Sequence, residues 1–148
     1  MSAKYNTATP YTAAYIILRK GNKIAFLLRE NTAWMNGYYG LPSGKIEKGE
    51  SALQAAIREA KEEIGVTITA GQLKYIFTGD RHDKIDWIDL CFEATGWEGE
   101  PHNAEPHVHG EFVWLDPNDL PDNVVPYVRF YVEQIQASNK YAAYGWQE

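Results

Sequence analysis

The sequence predicts an α/β fold in which a mixed β-sheet carries helices packed on its faces. Three observations predict it. Apolar runs of strand length recur along the chain, one segment has strong helical periodicity, and the turns between the strands include a tight hairpin rather than helices alone. The chain has 148 residues, 45% of them hydrophobic and 23% charged. That length and balance suit one globular domain over residues 1–148 with a real core and little room for a second.

The first strand is expected at Tyr11-Thr12-Ala13-Ala14-Tyr15-Ile16-Ile17-Leu18, a nearly continuous apolar run. Gly21-Asn22 reads as the turn of a hairpin, and Lys23 to Arg29 returns as the second strand. Residues 30 to 44 contain Asn31, Asn36, Gly37, Gly40, Pro42 and Gly44, with Trp34, Tyr38 and Tyr39 among them. This composition reads as a loop-and-turn segment beside a site. The clearest helix follows over 52 to 64: Ser51 and Gln54 have the capping-box spacing, and no Gly or Pro interrupts it. Leu53, Ala56, Ile57, Ala60 and Ile64 make one apolar stripe, and Gly65 stops the helix. Further strands are expected at Leu73 to Thr78, Ile85 to Thr95 and Glu111 to Leu115, and a last helix from about Val125 to Ala137. The aromatic stretch Tyr141 to Trp146 is read as a cover for the sheet or a dimer contact.

The helix carries chemistry on its other side. Glu59, Glu62 and Glu63 stand in i, i+3, i+4 relation, so their carboxylates share one patch away from the apolar stripe. Two such carboxylates about 6 Å apart repel by roughly 3 kcal/mol at an effective dielectric near 20, and water and salt reduce this. A hard divalent cation would remove the repulsion and use the oxygens as ligands. Taken alone, the same patch reads first as a solvated acidic face balanced by Arg58 and Lys61.

The surroundings decide between the two. Gly44, five residues, Glu50, seven residues, then Arg58-Glu59-Ala60-Lys61-Glu62-Glu63-Ile64-Gly65-Val66 resembles the signature of the Nudix hydrolases, G-x5-E-x7-R-E-U-x-E-E-x-G-U, with only Ala60 small for its slot. The resemblance implies a Nudix-type α/β/α sandwich, with the box over 44–66 as a loop–helix–loop that binds Mg2+, or Mn2+ in its place, beside a diphosphate. By that resemblance Glu59, Glu62 and Glu63 are metal ligands, and Glu59 also orients or deprotonates the attacking water. Arg58 holds a glutamate by charge-assisted hydrogen bonds, and Glu50 braces the loop. Gly44 allows close approach of backbone to metal, and the main-chain carbonyl of Ser43 is a further ligand, although many members have glycine there.

The resemblance extends beyond the box. Arg29 matches an arginine that MutT-like members place on a substrate phosphate; the competing reading is a strand-end arginine in water. Glu105 has the spacing of a glutamate that joins the metal site or serves as base, with Glu111 as its rival. Asn123 lies one residue out of register with an asparagine that reads guanine. Tyr39, with Trp34 and Tyr38, is a candidate for stacking on a base. His102, His107 and His109 lack the spacing of the usual zinc motifs and read as a solvated loop.

Composition narrows the function classes. The formal net charge of −6 argues against duplex nucleic acid as a partner, since backbone affinity comes from Lys and Arg. No run of about 18 apolar residues is present to span a membrane. Met1 to Thr7 lacks a signal-peptide core, and Cys91 is the only cysteine, so a reducing cytoplasmic setting is expected. The expected partner is a small nucleotide, with the chain a monomer or homodimer. The leading expectation is metal-dependent hydrolysis of a nucleoside triphosphate, 8-oxo-dGTP among the candidates, to the monophosphate and pyrophosphate. Two alternatives are a nucleotide-binding module without turnover and an RNA 5′-end pyrophosphohydrolase. Isoprenoid diphosphate isomerisation would need a cysteine acid–base group, and Cys91 sits inside a strand-like run.

Overall fold

The computed structural model describes residues 6–147; the Met1–Tyr5 part of the leader reading lies outside them. Strand β1 (Tyr11–Lys20) is the spine of the molecule. Its residues from Ala13 to Leu18 are all buried, because the sheet is covered on both faces. Period-two alternation then divides them. Ala13, Tyr15 and Ile17 belong to one hydrophobic cluster, and Ala14, Ile16 and Leu18 to the other.

Along β1, β6 (Asp86–Ala94) pairs in parallel, Tyr11 opposite Trp87 through Leu18 opposite Ala94. On its other edge, β4 (Ser43–Lys45) pairs antiparallel with Ala13–Tyr15, and β2 (Lys23–Arg29) continues from the hairpin with Arg19 opposite Ile24. β2 in turn pairs with β3 (Tyr39–Gly40) and with β7 (His109–Leu115), both antiparallel. Beyond β6 lie β5 (Leu73–His82), antiparallel to it, and β8 (Tyr141–Tyr144), parallel to β5. The sheet is therefore mixed, as the sequence predicts.

Helix α1 (Ala52–Ile64) covers the even face of β1 through Ala55, Ala56, Ala60 and Ile64. Ser51 Oγ accepts from the Gln54 amide at 3.1 Å and the Gln54 side chain accepts from the Ser51 amide at 2.8 Å, the reciprocal cap that the spacing predicts. Gly65 ends the helix at φ 69°, with its amide on Lys61 O. Helix α2 (Pro126–Gln136) covers the odd face through Val128, Tyr131 and Val132. Tyr131 lies so close to β5 that a Cβ on Gly79 would stand 2.1 Å from its ring. Its hydroxyl donates to Asp89 Oδ2 at 2.5 Å, and Arg81 Nε donates to the same oxygen at 2.9 Å. Asp89 is fully buried, and desolvation holds its carboxyl above the usual range even beside Arg81.

Four expectations are corrected. Residues 30–44 are not all loop, because Tyr39–Gly40 and Ser43–Lys45 find free sheet edges on β2 and β1. β5 runs to His82, past Thr78, since its partner β6 continues with it. β7 starts at His109 rather than Glu111, since Arg29 of β2 pairs with His109. The C-terminal aromatic stretch, read as a sheet cover or a dimer contact, adds an edge strand: Thr78 pairs with Tyr141 and Arg81 with Tyr144.

Candidate active site

The site lies where β4 meets the carboxylate side of α1. Arg58 organises it. Its Nη2 and Nε donate to the two oxygens of Glu50 at 2.7 and 3.1 Å, a bidentate fork, and Nη2 also reaches Lys45 O at 3.1 Å. Nη1 donates to Glu59 Oε1 at 2.7 Å and to Glu62 Oε1 at 3.3 Å. This hydrogen bonding holds Glu50 below the usual carboxylate range. Glu59 and Glu62 are thus bridged through one guanidinium nitrogen.

Glu63 is held differently. Its Oε1 accepts the Ser43 amide at 2.7 Å, which fixes the β4 turn to the helix. Burial raises the Glu63 carboxyl well above the usual range, with Glu59, Glu105 and Glu62 adding like-charge repulsion. Burial likewise raises Glu59, partly offset by Arg58, with Glu62 and Glu105 again repelling. Four carboxylates therefore face one another with one arginine among them. Gly44 makes the approach possible: a Cβ there would lie 2.1 Å from Glu59 Oε1.

Glu105 arrives from a loop clamped to the end of α1. The His102 amide donates to Ile64 O at 3.1 Å and the Ala104 amide to Glu63 O at 3.0 Å, so the loop satisfies carbonyls the helix end leaves open. The His109 amide donates to Glu105 O at 3.0 Å, closing a single helical turn. Asn103 Nδ2 donates to His109 O and Gly110 O at 2.8 and 2.6 Å. Glu63, Glu105 and His109 consequently present ligand atoms within 4.8 Å of one another. Burial and the Arg29 charge keep His109 below the usual histidine range.

The solvated-loop expectation holds for the exposed His102 and His107 and fails for His109, which is partly buried against Glu63. The available signal was its position four residues after Glu105, one helical turn. Glu111, the rival to Glu105, instead accepts from the Tyr39 hydroxyl at 2.5 Å. Tyr39 is tied further by its backbone to Asn123 O and Val125 N. Asn123 itself donates through Nδ2 to Gly37 O at 3.0 Å, so its side chain supports the turn before β3. Gly65 packs against His102, whose ring a Cβ would meet at 2.3 Å.

A cleft of about 420 Å³ opens beside Ser43, Gly44 and Lys45. Arg29, Lys45, Arg81 and Lys84 give it cations, and Trp34, Trp87 and Tyr127 give it aromatic walls. Arg29 is fixed by donating to Trp34 O at 2.9 Å and lies over the Trp34 ring. Arg81 stacks at 3.9 Å from the Tyr127 ring centroid and 4.8 Å from that of Trp87. Sequence reading reached Arg29 and Trp34 here and missed Arg81, Trp87 and Tyr127. These come from β5, β6 and α2, which the β1–β6–β5 strand order and the packing of α2 on the odd face of β1 bring together.

The NUDIX domain family matches residues 9–134. An 8-oxo-dGTP diphosphatase of Escherichia coli is 36% identical over 115 residues, 74% of this chain and 85% of that protein. A Nudix hydrolase of Bacillus subtilis is 33% identical over 109 residues, 70% of this chain and 65% of its own length. A crystal structure of a MutT NUDIX hydrolase from Burkholderia pseudomallei superposes with a TM-score of 0.77 and 26% identity, covering 85% of this chain and 98% of that one.

Proposed function

The chain belongs to the Nudix family, and from that membership we propose that it hydrolyses a phosphoanhydride in a nucleoside diphosphate derivative, a nucleoside triphosphate above all. The products would be the nucleoside monophosphate and pyrophosphate. One observation carries the reading: the carboxylates of Glu59, Glu62, Glu63 and Glu105 repel one another beside a cleft of about 420 Å³ that has cations and aromatic walls. A cleft of that volume suits a small ligand. Arginine and lysine suit phosphate oxygens, and Trp and Tyr faces suit a base.

The donor set fits a hard divalent cation, Mg2+ or Mn2+. Glu59, Glu62, Glu63 and Glu105 would hold it together with the Ser43 carbonyl, and the Gly44 position, which a Cβ would fill, keeps the backbone near those oxygens. When bound, such an ion neutralises phosphate charge and lowers the pKa of water. The chain's own residues do the rest. Arg58 positions Glu59 and Glu62, with Glu50 fixing Arg58 in turn. Glu59, oriented by Arg58 through Oε1, takes a proton from the attacking water at its carboxylate. Arg29 and Lys45 bind phosphate, while Trp34, Trp87 and Tyr127 exclude water from the base. Phosphoryl transfers need such positioning more than covalent chemistry.

The 8-oxo-dGTP named for the Escherichia coli relative is the first substrate to test. Turnover of a nucleotide panel with Mg2+ and Mn2+ is the test, run on wild type, Glu62→Gln and Glu63→Gln. Loss of turnover on the order of 10²-fold in both variants is expected, comparable to removing one preorganised electrostatic group elsewhere. Undiminished turnover in both would remove the proposal. Tight calorimetric binding with no product across the panel would point to a sensing module instead.

A further inference from the structure

We propose that His109 is a nitrogen ligand of this metal site, joining Glu63 and Glu105, and that the site therefore favours Mn2+ or Co2+ over Mg2+. The inference rests on the reading of the carboxylate cluster as a metal site and adds the one donor that is not oxygen.

Three observations support it. First, one ligand atom each from Glu63, Glu105 and His109 lies within 4.8 Å of the others. Ligands around one octahedral ion at ~2.1 Å stand roughly 3 to 4 Å apart, so small side-chain rotations close the set. Second, the imidazole has no protein partner for its nitrogens. Nε2 stands 3.9 Å from Glu63 Oε2, too far for a hydrogen bond. Nδ1 is buried without a partner, the one such buried side-chain nitrogen or oxygen among the described residues. Nε2 is the nitrogen turned toward Glu63 and is the proposed ligand atom; the lone pair of Nδ1 diverges from it, so the same ion does not satisfy Nδ1. His82 and His102 each place Nδ1 on an oxygen at 2.7 and 2.8 Å. Third, the position is built. His109 opens β7 opposite Arg29, its amide is held by Glu105 O at 3.0 Å, and its carbonyl is held by Asn103.

Ligand chemistry gives the consequence. Mg2+ prefers oxygen ligands and keeps its water, whereas an imidazole nitrogen raises affinity for first-row transition ions, least for Mn2+ and more for Co2+ and the later ions. A mixed carboxylate–imidazole site moves preference away from Mg2+ while Mg2+ remains able to bind through the glutamates.

The test is electron spin-echo spectroscopy of Mn2+ bound to the whole protein, with calorimetric titration of Mn2+ and Mg2+ against wild type, His109→Gln, His109→Asn and Glu63→Gln. Directly bound imidazole gives a 14N coupling, expected in wild type and lost in both His109 variants. Mn2+ affinity should fall about tenfold in those variants, with Mg2+ affinity changed less than about twofold. Mn2+ bound to wild type with no 14N coupling would overturn the inference and leave the carboxylate site standing. Unchanged coupling in the His109 variants would overturn it too. Absence of stoichiometric Mn2+ binding, with no effect of Glu63→Gln, would remove both readings. Thermal unfolding of each variant identifies any that fails to fold, and the wild-type spectrum alone then decides.

Discussion

At Gly44 a hydrogen stands where any other residue would put a carbon 2.1 Å from the Glu59 carboxylate. Gly44→Ala must therefore push Glu59 off Arg58 or lift the β4 turn off α1. Turnover should fall on the order of 10- to 100-fold, the loss typical of disturbing groups that orient ligands. The melting temperature should move little, because β4 is short and at an edge; paired kinetic and thermal measurements check this. Arg58 gives a sharper case. Its fork to Glu50 and its contacts with Glu59 and Glu62 use nitrogens at fixed angles. Lysine offers one point charge with no fork. Arg58→Lys should keep net charge and fold yet lose roughly tenfold or more in turnover. Equal turnover in wild type and Arg58→Lys would show that charge alone matters there.

At the scale of elements, α1 does two jobs with two faces. Ala55, Ala56, Ala60 and Ile64 hold it to the sheet, and Glu59, Glu62 and Glu63 face the β4 turn and the Glu105 loop. Its cap can be weakened without touching either face. Ser51→Ala removes the oxygen that accepts from Gln54 N and should cost about 1 kcal/mol, lowering the melting temperature by roughly 2 to 8 °C. Activity per folded molecule should persist, and a loss of turnover at unchanged stability would contradict this division. The same helix shows why part of the molecule was legible in sequence. Capping box, apolar stripe and stop glycine are local signals, and α1 forms over the predicted 52–64. β3, β4 and β8 are two to four residues long, with little local pattern. They are strands because β2, β1 and β5 offer them edges, and only tertiary structure supplies an edge. The site divides in the same way. Glutamates on one helix could be read from spacing, whereas Arg81, Trp87 and Tyr127 share a cleft through sheet order and the packing of α2, and His109 was lost among three loop histidines.

For the whole molecule, the site is a place where folding brings like charges together and pays in stability. Glu59 and Glu63 both have carboxyls raised by burial, and like-charge repulsion runs among Glu59, Glu62, Glu63 and Glu105. A folded-state pKa above the unfolded one means the folded protein binds more protons in the interval between them. The stability contributed by these groups is then present below the unfolded carboxylate range and falls as pH rises through the raised values. A divalent cation acts oppositely: it binds the ionised carboxylates of the folded state, so its stabilising effect grows with pH over the same interval. The shift in melting temperature on adding Mg2+ should therefore be larger at about pH 8 than at about pH 5, where protons compete for the oxygens. Glu63→Gln removes the more strongly raised group. Without metal it should flatten the fall in stability with pH, and with Mg2+ it should shrink the gain. Differential scanning calorimetry of both proteins across pH, with and without the ion, measures all four curves. A Mg2+ effect independent of pH, or one unchanged in Glu63→Gln, would show that the cation stabilises the protein somewhere other than at this cluster.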